Sequence, residues 1–305
     1  MKKNCLIIGF GSIGARHARV LADMGHTVHV VSQRKIEGYE SFSQIPEAFK
    51  AIKYDYAVIC LPTSDHYQAA VQLYKNGFNG LLLIEKPLFD KSGYALLPPM
   101  NVYVGYNLRF HPVLKEIDRL IQGKKLYSMQ VYCGQYLPSW RKDRDYRATY
   151  SASSESGGGV LRDLSHELDY VLKLTGTWKK VAAKGGRVGS LEIDTDDLFC
   201  LLMETRNCPA ICLQVNYLDL SPRREMILNG EGISLKADLI KGTLEVNGQK
   251  KVYMVEKDDT YRDQHLDILL NKGKTACSYE EGIEIVNLIE AAFKASEEEI
   301  WIKRN

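Results

Sequence analysis

Glu85-Lys86-Pro87 follows directly on the apolar run Leu81-Leu82-Leu83-Ile84, so an amine stands at the end of what reads as a buried strand. At the carboxyl edge of a parallel sheet that binds a dinucleotide, such an amine points at the nicotinamide. A second cluster lies in Gly157-Gly158-Gly159-Val160-Leu161-Arg162-Asp163-Leu164-Ser165-His166-Glu167-Leu168-Asp169-Tyr170, where Asp163 and His166 stand close together. Residues three apart on a helix share a face. Moving a hydride to or from a carbinol carbon requires a proton to leave or join the oxygen, and histidine, with a reference pKa of about 6.5, suits that exchange. His166 is the candidate general acid/base. Lys86 would hydrogen-bond the substrate oxygen and stabilise developing charge, and Asp163 would orient one or the other. The plainer alternatives are a turn lysine and a satisfied structural histidine.

Gly9-Phe10-Gly11-Ser12-Ile13-Gly14 follows the apolar run Leu6-Ile7-Ile8 and opens an amphipathic segment, the context that gives a GxGxxG pattern its meaning. Gly9 makes the tight turn, Gly11 leaves room for a pyrophosphate and Gly14 lets helix pack on strand. Ser12 and Ile13 form the helix N-terminus, whose N–H groups and dipole favour an anion. After the next strand, where a carboxylate would hold the ribose hydroxyl of NAD, the chain reads Ser32-Gln33-Arg34-Lys35. Arg34 offers a fork of donors to a 2'-phosphate, with Ser32 beside it, so NADP is preferred over NAD. Leu61-Pro62-Thr63-Ser64-Asp65-His66 follows the third strand and opens a helix, so Leu61, Pro62, Thr63 and His66 join Glu85 and Lys86 as expected cofactor contacts.

Substrate contacts are expected from two places. Gly105-Tyr106-Asn107-Leu108-Arg109-Phe110-His111-Pro112 supplies Arg109, and Leu137-Pro138-Ser139-Trp140-Arg141-Lys142-Asp143-Arg144-Asp145-Tyr146-Arg147 is dense in aromatic and arginine side chains. Trp140 could stack on a sugar ring, Tyr146 is a further expected substrate contact, and Arg141, Arg144 and Arg147 could bind a carboxylate or phosphate, which favours an acidic or nucleotide-linked sugar. A solvated charged lid is the plain alternative. Asp194-Thr195-Asp196-Asp197 reads as the polar entry to a strand, with acids facing water and no histidine or cysteine at ligand spacing, so no metal is expected.

These residues need elements to position them. Leu6-Ile7-Ile8, Val28-His29-Val30-Val31, Tyr56 to Cys60, Leu81 to Ile84 and Val102-Tyr103-Val104 have the length and branching of strands buried on both faces. Helix candidates at Ser12 to Met24, Pro46 to Ile52, Asp65 to Asn76 and Pro112 to Gln122 alternate with them, which implies a doubly wound parallel sheet. After Gly123 the pattern changes to alternating segments such as Tyr127 to Tyr132 and Met226-Ile227-Leu228, with turns from Asn229 to Gly248 and helices at Leu164 to Leu174 and Glu280 to Glu298. The fold class is α/β: an N-terminal Rossmann domain, residues 1–120, then an α/β domain with a largely antiparallel open sheet, residues 121–305.

Taken in order, the glycine loop, Glu85-Lys86-Pro87, the Gly105 to Pro112 segment and the triple-glycine segment resemble the glucose-fructose oxidoreductase and inositol dehydrogenase family (Gfo/Idh/MocA). The resemblance implies hydride transfer between a nicotinamide cofactor and a hydroxyl or carbonyl of a sugar, cyclitol or related molecule. It also implies a cis Lys86-Pro87 bond, and a homodimer or homotetramer formed through the open sheet. The family's aspartate usually precedes its histidine by four residues; here only Leu164 and Ser165 separate Asp163 from His166.

Composition narrows the field. With 305 residues, 45% hydrophobic and 26% charged, and a net charge of +2, the chain has a globular make-up and no nucleic-acid footprint. No run approaches the roughly 18 apolar residues of a membrane span, and no signal peptide is evident, so a cytoplasmic protein with no membrane partner is expected. The seven cysteines lack a CxxC pair and read as reduced, packed thiols. A cofactor-bound sensor without turnover, or an enzyme using the cofactor in a transient internal redox step, are the alternatives to a dehydrogenase.

Overall fold

A computed structural model describes residues 1–50, 52–140 and 144–304. The chain divides into two units, one comprising Met1–Phe110 with Lys257–Ile283, the other His111–Glu256 with Glu284–Asn305. The first division therefore falls ten residues before the expected 120/121 cut, and the segment 257–283 belongs with the first unit. Its helix Asp259–Asn271 gave no clear apolar periodicity, because its buried face carries Gln264, His265 and Asp267.

The first unit is built on a seven-stranded sheet in the order Cys277–Ser278, Asn101–Val104, Leu81–Ile84, Tyr56–Ile59, Asn4–Ile8, Thr27–Val31, Glu40–Phe42. All pairs are parallel except the short edge strand Cys277–Ser278. Val58, Leu82, Leu83 and Ile84 are wholly buried, as expected of strands covered on both faces. The order reverses at Asn4–Ile8, so the glycine loop and the Tyr56–Ile59 strand end flank the crevice where ligands bind in such sheets. Helices Ser12–Asp23 and His66–Lys75 fall within a residue or two of expectation; Pro46 to Ile52 yields only the short turn Ile45–Ala48, and Ala51 lies outside the described residues.

The second unit holds a nine-stranded sheet: Gln249–Val252, Thr243–Val246, Ile233–Asp238, Arg223–Gly230, Leu126–Gly134, Ile211–Asn216, Leu198–Thr205, Trp178–Gly186, Ile302–Lys303. Pairing is antiparallel except between Leu126–Gly134 and Ile211–Asn216. Strand alternation separates two faces. One register row, Val181, Met203, Ile211, Met129, Leu228 and Leu235, is buried. The neighbouring row, Ala182, Leu202, Cys212, Gln130 and Ile227, lines an open groove of about 590 Å³, with Leu202 and Ile227 exposed by 43% and 40%.

Candidate active site

The glycine loop is built as a phosphate cradle. Gly9 has φ +91°, and a Cβ on Gly14 would lie 2.1 Å from the Gly9 carbonyl oxygen, so neither position admits another residue. At Gly11 a Cβ would meet nothing within 4 Å. That glycine leaves open space in front of the helix Ser12–Asp23, which has no acidic residue in its first turn to neutralise its N-terminal dipole. The loop therefore fits a dinucleotide pyrophosphate. Beyond the strand Thr27–Val31, the Ser32 hydroxyl accepts the Arg34 N–H at 3.1 Å, the Gln33 amide donates to the Ser43 carbonyl at 2.8 Å, and Arg34 is exposed.

His66 lies where the expected cofactor loop ends and the helix His66–Lys75 starts, but it is 1% exposed. Its Nε2 faces the Leu61 carbonyl at 3.0 Å, and its Nδ1 faces the Pro87 and Leu88 carbonyls at 3.2 Å. Burial lowers its pKa, with the carbonyl contacts opposing. The ring ties the Leu61 loop to the turn after Lys86 and has no edge left for a cofactor. Thr63 is likewise buried, while Leu61 and Pro62 stay partly or fully accessible.

The Lys86-Pro87 bond is cis. Glu85, 8% exposed, turns under the sheet: one oxygen meets His17 Nε2 at 2.9 Å and the other accepts the Lys86 N–H at 3.2 Å. His17 Nδ1 then meets His265 Nε2 at 2.9 Å, and His265 Nδ1 meets the Tyr56 hydroxyl at 2.9 Å. Gly105 makes room for this arrangement, since a Cβ there would lie 2.6 Å from Glu85 Oε1. Arg109 corrects an expectation. Its side chain is 2% exposed and its guanidinium is held at 2.6 Å by the more exposed Glu281, so its charge is already matched and it is not placed as a receptor for a substrate anion.

In the second unit Asp163 and His166 are not on one helix. The turn Val160–Asp163 ends at Leu164 (φ −96°, ψ 29°), and a new helix runs from His166 to Thr175 in place of the expected Leu164 to Leu174, so the shared helical face expected for Asp163 and His166 does not form. Asp163, 3% exposed, accepts hydrogen bonds from the Tyr150 hydroxyl and, at 2.5 Å, from the Tyr217 hydroxyl. Trp140 meets Tyr217 edge-on at 5.3 Å and donates its Nε1–H to the Gln135 carbonyl at 3.3 Å. Trp140 and His166 are both partly exposed, unlike Asp163. Behind His166, Glu167 is wholly buried against Arg224, 2.8 Å away. Burial opposes the Arg224 charge and Glu167 overrides it, leaving the guanidinium pKa raised.

The arginine segment divides. Arg141 lies outside the described residues. Arg147 chelates Asp145 and also meets Glu192 at 2.9 Å, so its charge is already matched. Tyr146 accepts the Glu192 N–H at 3.3 Å, and Arg144 is exposed. The aspartates also depart from expectation. Asp194 takes the Ser154 N–H at 2.7 Å, Asp196 the Leu161 N–H at 2.9 Å, and Asp197 the Val188 and Gly189 N–H groups at 2.8 Å each. Asp196 and Asp197 are buried loop clamps, not solvated acids. Burial raises the Asp196 pKa to about 6, with the Leu161 N–H pulling the other way. Among the described residues no group of three or more His, Cys, Asp or Glu is placed to hold a metal ion.

A doubly wound sheet with a glycine phosphate cradle, followed by a second unit with an open, largely antiparallel sheet, defines a dinucleotide-binding oxidoreductase architecture. Residues 3–95 match the oxidoreductase family's NAD-binding Rossmann fold, and residues 115–236 match its C-terminal domain. The chain belongs to the Gfo/Idh/MocA oxidoreductase family. No curated protein matches it. Among solved structures it is similar to GenD2 from gentamicin A biosynthesis in complex with NAD (20% identity, TM-score 0.82, covering 100% of this chain and 97% of that one). It is also similar to the WlbA dehydrogenase from Bordetella pertussis in complex with NADH and UDP-GlcNAcA (16%, 0.81, 100% and 99%). A third likeness is to levoglucosan dehydrogenase in complex with NADH and levoglucosan (16%, 0.84, 99% and 99%). No helix among the described residues is long and apolar enough to cross a membrane.

Proposed function

We propose that this protein is a nicotinamide-dependent dehydrogenase or reductase that moves a hydride between the cofactor and a hydroxyl or carbonyl carbon of a sugar derivative. The observation that carries the reading is a lysine fixed at the carboxyl edge of the parallel sheet, in the unit that also holds the glycine cradle. Gly9, Gly11, Ser12, Ile13 and Gly14 would hold the pyrophosphate, with Leu61 and Pro62 beside it. When bound, the cofactor supplies the hydride acceptor or donor. Lys86 would hydrogen-bond the substrate oxygen and offset its developing negative charge, and His166 would take or return the oxygen's proton.

Asp163 is given a different part. It accepts from the Tyr150 and Tyr217 hydroxyls and so fixes that corner against Trp140. The sugar class draws on two of these relatives, one holding UDP-GlcNAcA and one named for and holding levoglucosan. Arg144 with Trp140 supports an acidic or nucleotide-linked member of that class. Arg34 and the missing ribose-binding carboxylate support NADP, whereas those relatives hold NAD or NADH. The apolar row through Leu202 and Ile227 supports a homo-oligomer through the open sheet.

The test is to incubate the purified protein with NAD and with NADP against neutral, acidic and phosphorylated sugars and nucleotide sugars, following absorbance of the reduced cofactor. Sustained reduction that is lost in Lys86→Ala and His166→Ala supports the dehydrogenase. Tight cofactor binding with silence across the panel favours a sensor or an internal redox step. Tighter binding of NADH than NADPH sinks the argument from Arg34, and a monomer in sedimentation sinks the oligomer.

A further inference from the structure

Four polar side chains, Tyr56, His265, His17 and Glu85, run in single file under the Lys86 turn, and three of them have no exposed surface. Burying such groups is costly unless every proton and lone pair is matched, and apolar side chains of the same volume would pack there at least as well. Tyr56 even opens the otherwise apolar strand Tyr56-Ala57-Val58-Ile59. We infer that Tyr56, His265 and His17 are positioning residues for Lys86, forming a directed hydrogen-bond chain that ends on one Glu85 oxygen and holds the other on the Lys86 N–H.

The direction follows from counting protons. Glu85 accepts, so His17 Nε2 carries a proton. If both rings are neutral, His265 Nε2–H donates to His17 Nδ1, and Tyr56 O–H donates to His265 Nδ1; every group in the file is then matched. If His17 were an imidazolium, the file would reverse, His265 would donate to the Tyr56 oxygen, and the buried phenol proton would lose its partner in the file. Burial holds the pKa of His265 well below the ordinary value, in keeping with a neutral ring. Donors aligned head to tail polarise one another toward the carboxylate at the end, where no buried cation is needed. The missing Cβ at Gly105 leaves the Glu85 carboxylate its place. The file thus sets where Lys86 begins, and through it where the amine stands.

This inference rests on the reading of Lys86 as a reacting-site residue, and its test does not require turnover. The rate of Lys86 acetylation by acetic anhydride is measured by peptide mass spectrometry relative to exposed Lys75, together with NADH binding followed by nicotinamide fluorescence. In His17→Leu the Lys86 to Lys75 ratio is expected to change about threefold or more and NADH affinity to fall in parallel. His17→Gln, whose amide can both donate and accept, should restore the ratio to within about twofold of the parent. Glu85→Gln placed on His17→Leu should add little, since the charge the file serves is gone. An unchanged ratio in folded His17→Leu overturns the inference. If that variant does not fold, Tyr56→Phe and His265→Gln carry the same readout, and unchanged ratios in both overturn it. Lys86→Ala that leaves sugar-dependent reduction of NAD intact overturns the reading of Lys86 and this inference with it; unchanged ratios beside an inactive Lys86→Ala overturn only the inference.

Discussion

The Glu85 turn and the Asp163 to Glu167 segment solve one problem, a buried carboxylate beside a candidate site residue, by opposite means. Glu85 is met by an imidazole at the end of a hydrogen-bonded file, in space left by Gly105. Asp163 is met by two phenols, Asp196 by a backbone N–H, and Glu167 by a guanidinium. The first region controls its carboxylate with dipoles and space, the second with phenols and an opposite charge. The first should therefore be sensitive to added volume, and the second to deleted charge and to pH.

The largest effect expected is on turnover. His166→Asn should lower kcat by about 10²- to 10⁴-fold with little change in NADH binding, read by steady-state kinetics and titration. A loss of NADH affinity instead would mean that the second region serves cofactor binding. Next, Arg224→Met strands the buried Glu167 carboxylate and should cost about 3–5 kcal/mol in urea unfolding, most of it recovered in Glu167→Met/Arg224→Met. If the double variant is no better than the single, charge is not what that region balances.

In the first region Gly14→Ala drives a Cβ onto the Gly9 carbonyl and should cost about 1–3 kcal/mol while abolishing NADH binding. Asp196 tests the pH contrast. Its folded pKa of about 6 exceeds the ordinary carboxylate value, so the native state holds the proton more tightly. Its contribution is fully present below about pH 4 and is lost as pH rises through about 6, a change on the order of 3 kcal/mol. Asp196→Asn should flatten that part of the stability profile between about pH 4 and 7. The smallest effect is Tyr150→Phe, which removes one donor to Asp163 and should cost about 1–2 kcal/mol.

How much of this was legible in the sequence follows the same division. The parallel strands, the glycine cradle and Lys86 are written in contiguous residues, whose apolar runs and glycine spacing carry their own reasons. Arg109 was misread because its partner Glu281 stands 172 residues away, and a lone arginine in a sequence does not disclose a distant carboxylate. The same holds for Tyr217 and Asp163, and for the aspartates that clamp loop amides. His17 did leave a signal. It lies three residues after Gly14 on the face of the helix that packs inward, where an imidazole needs a buried partner.

The return of residues 257–283 to the first unit matters during synthesis. The ribosome completes Phe110 long before it reaches His265 and the edge strand Cys277–Ser278, and at about 5–20 residues per second that interval is roughly 10–30 s. Until then His17 has no ring to accept from and the strand Asn101–Val104 has one edge unpaired. The nascent nucleotide-binding sheet must therefore wait for a segment made after most of the second unit, and a chain released at residue 256 would carry the entire glycine motif on an unfinished sheet.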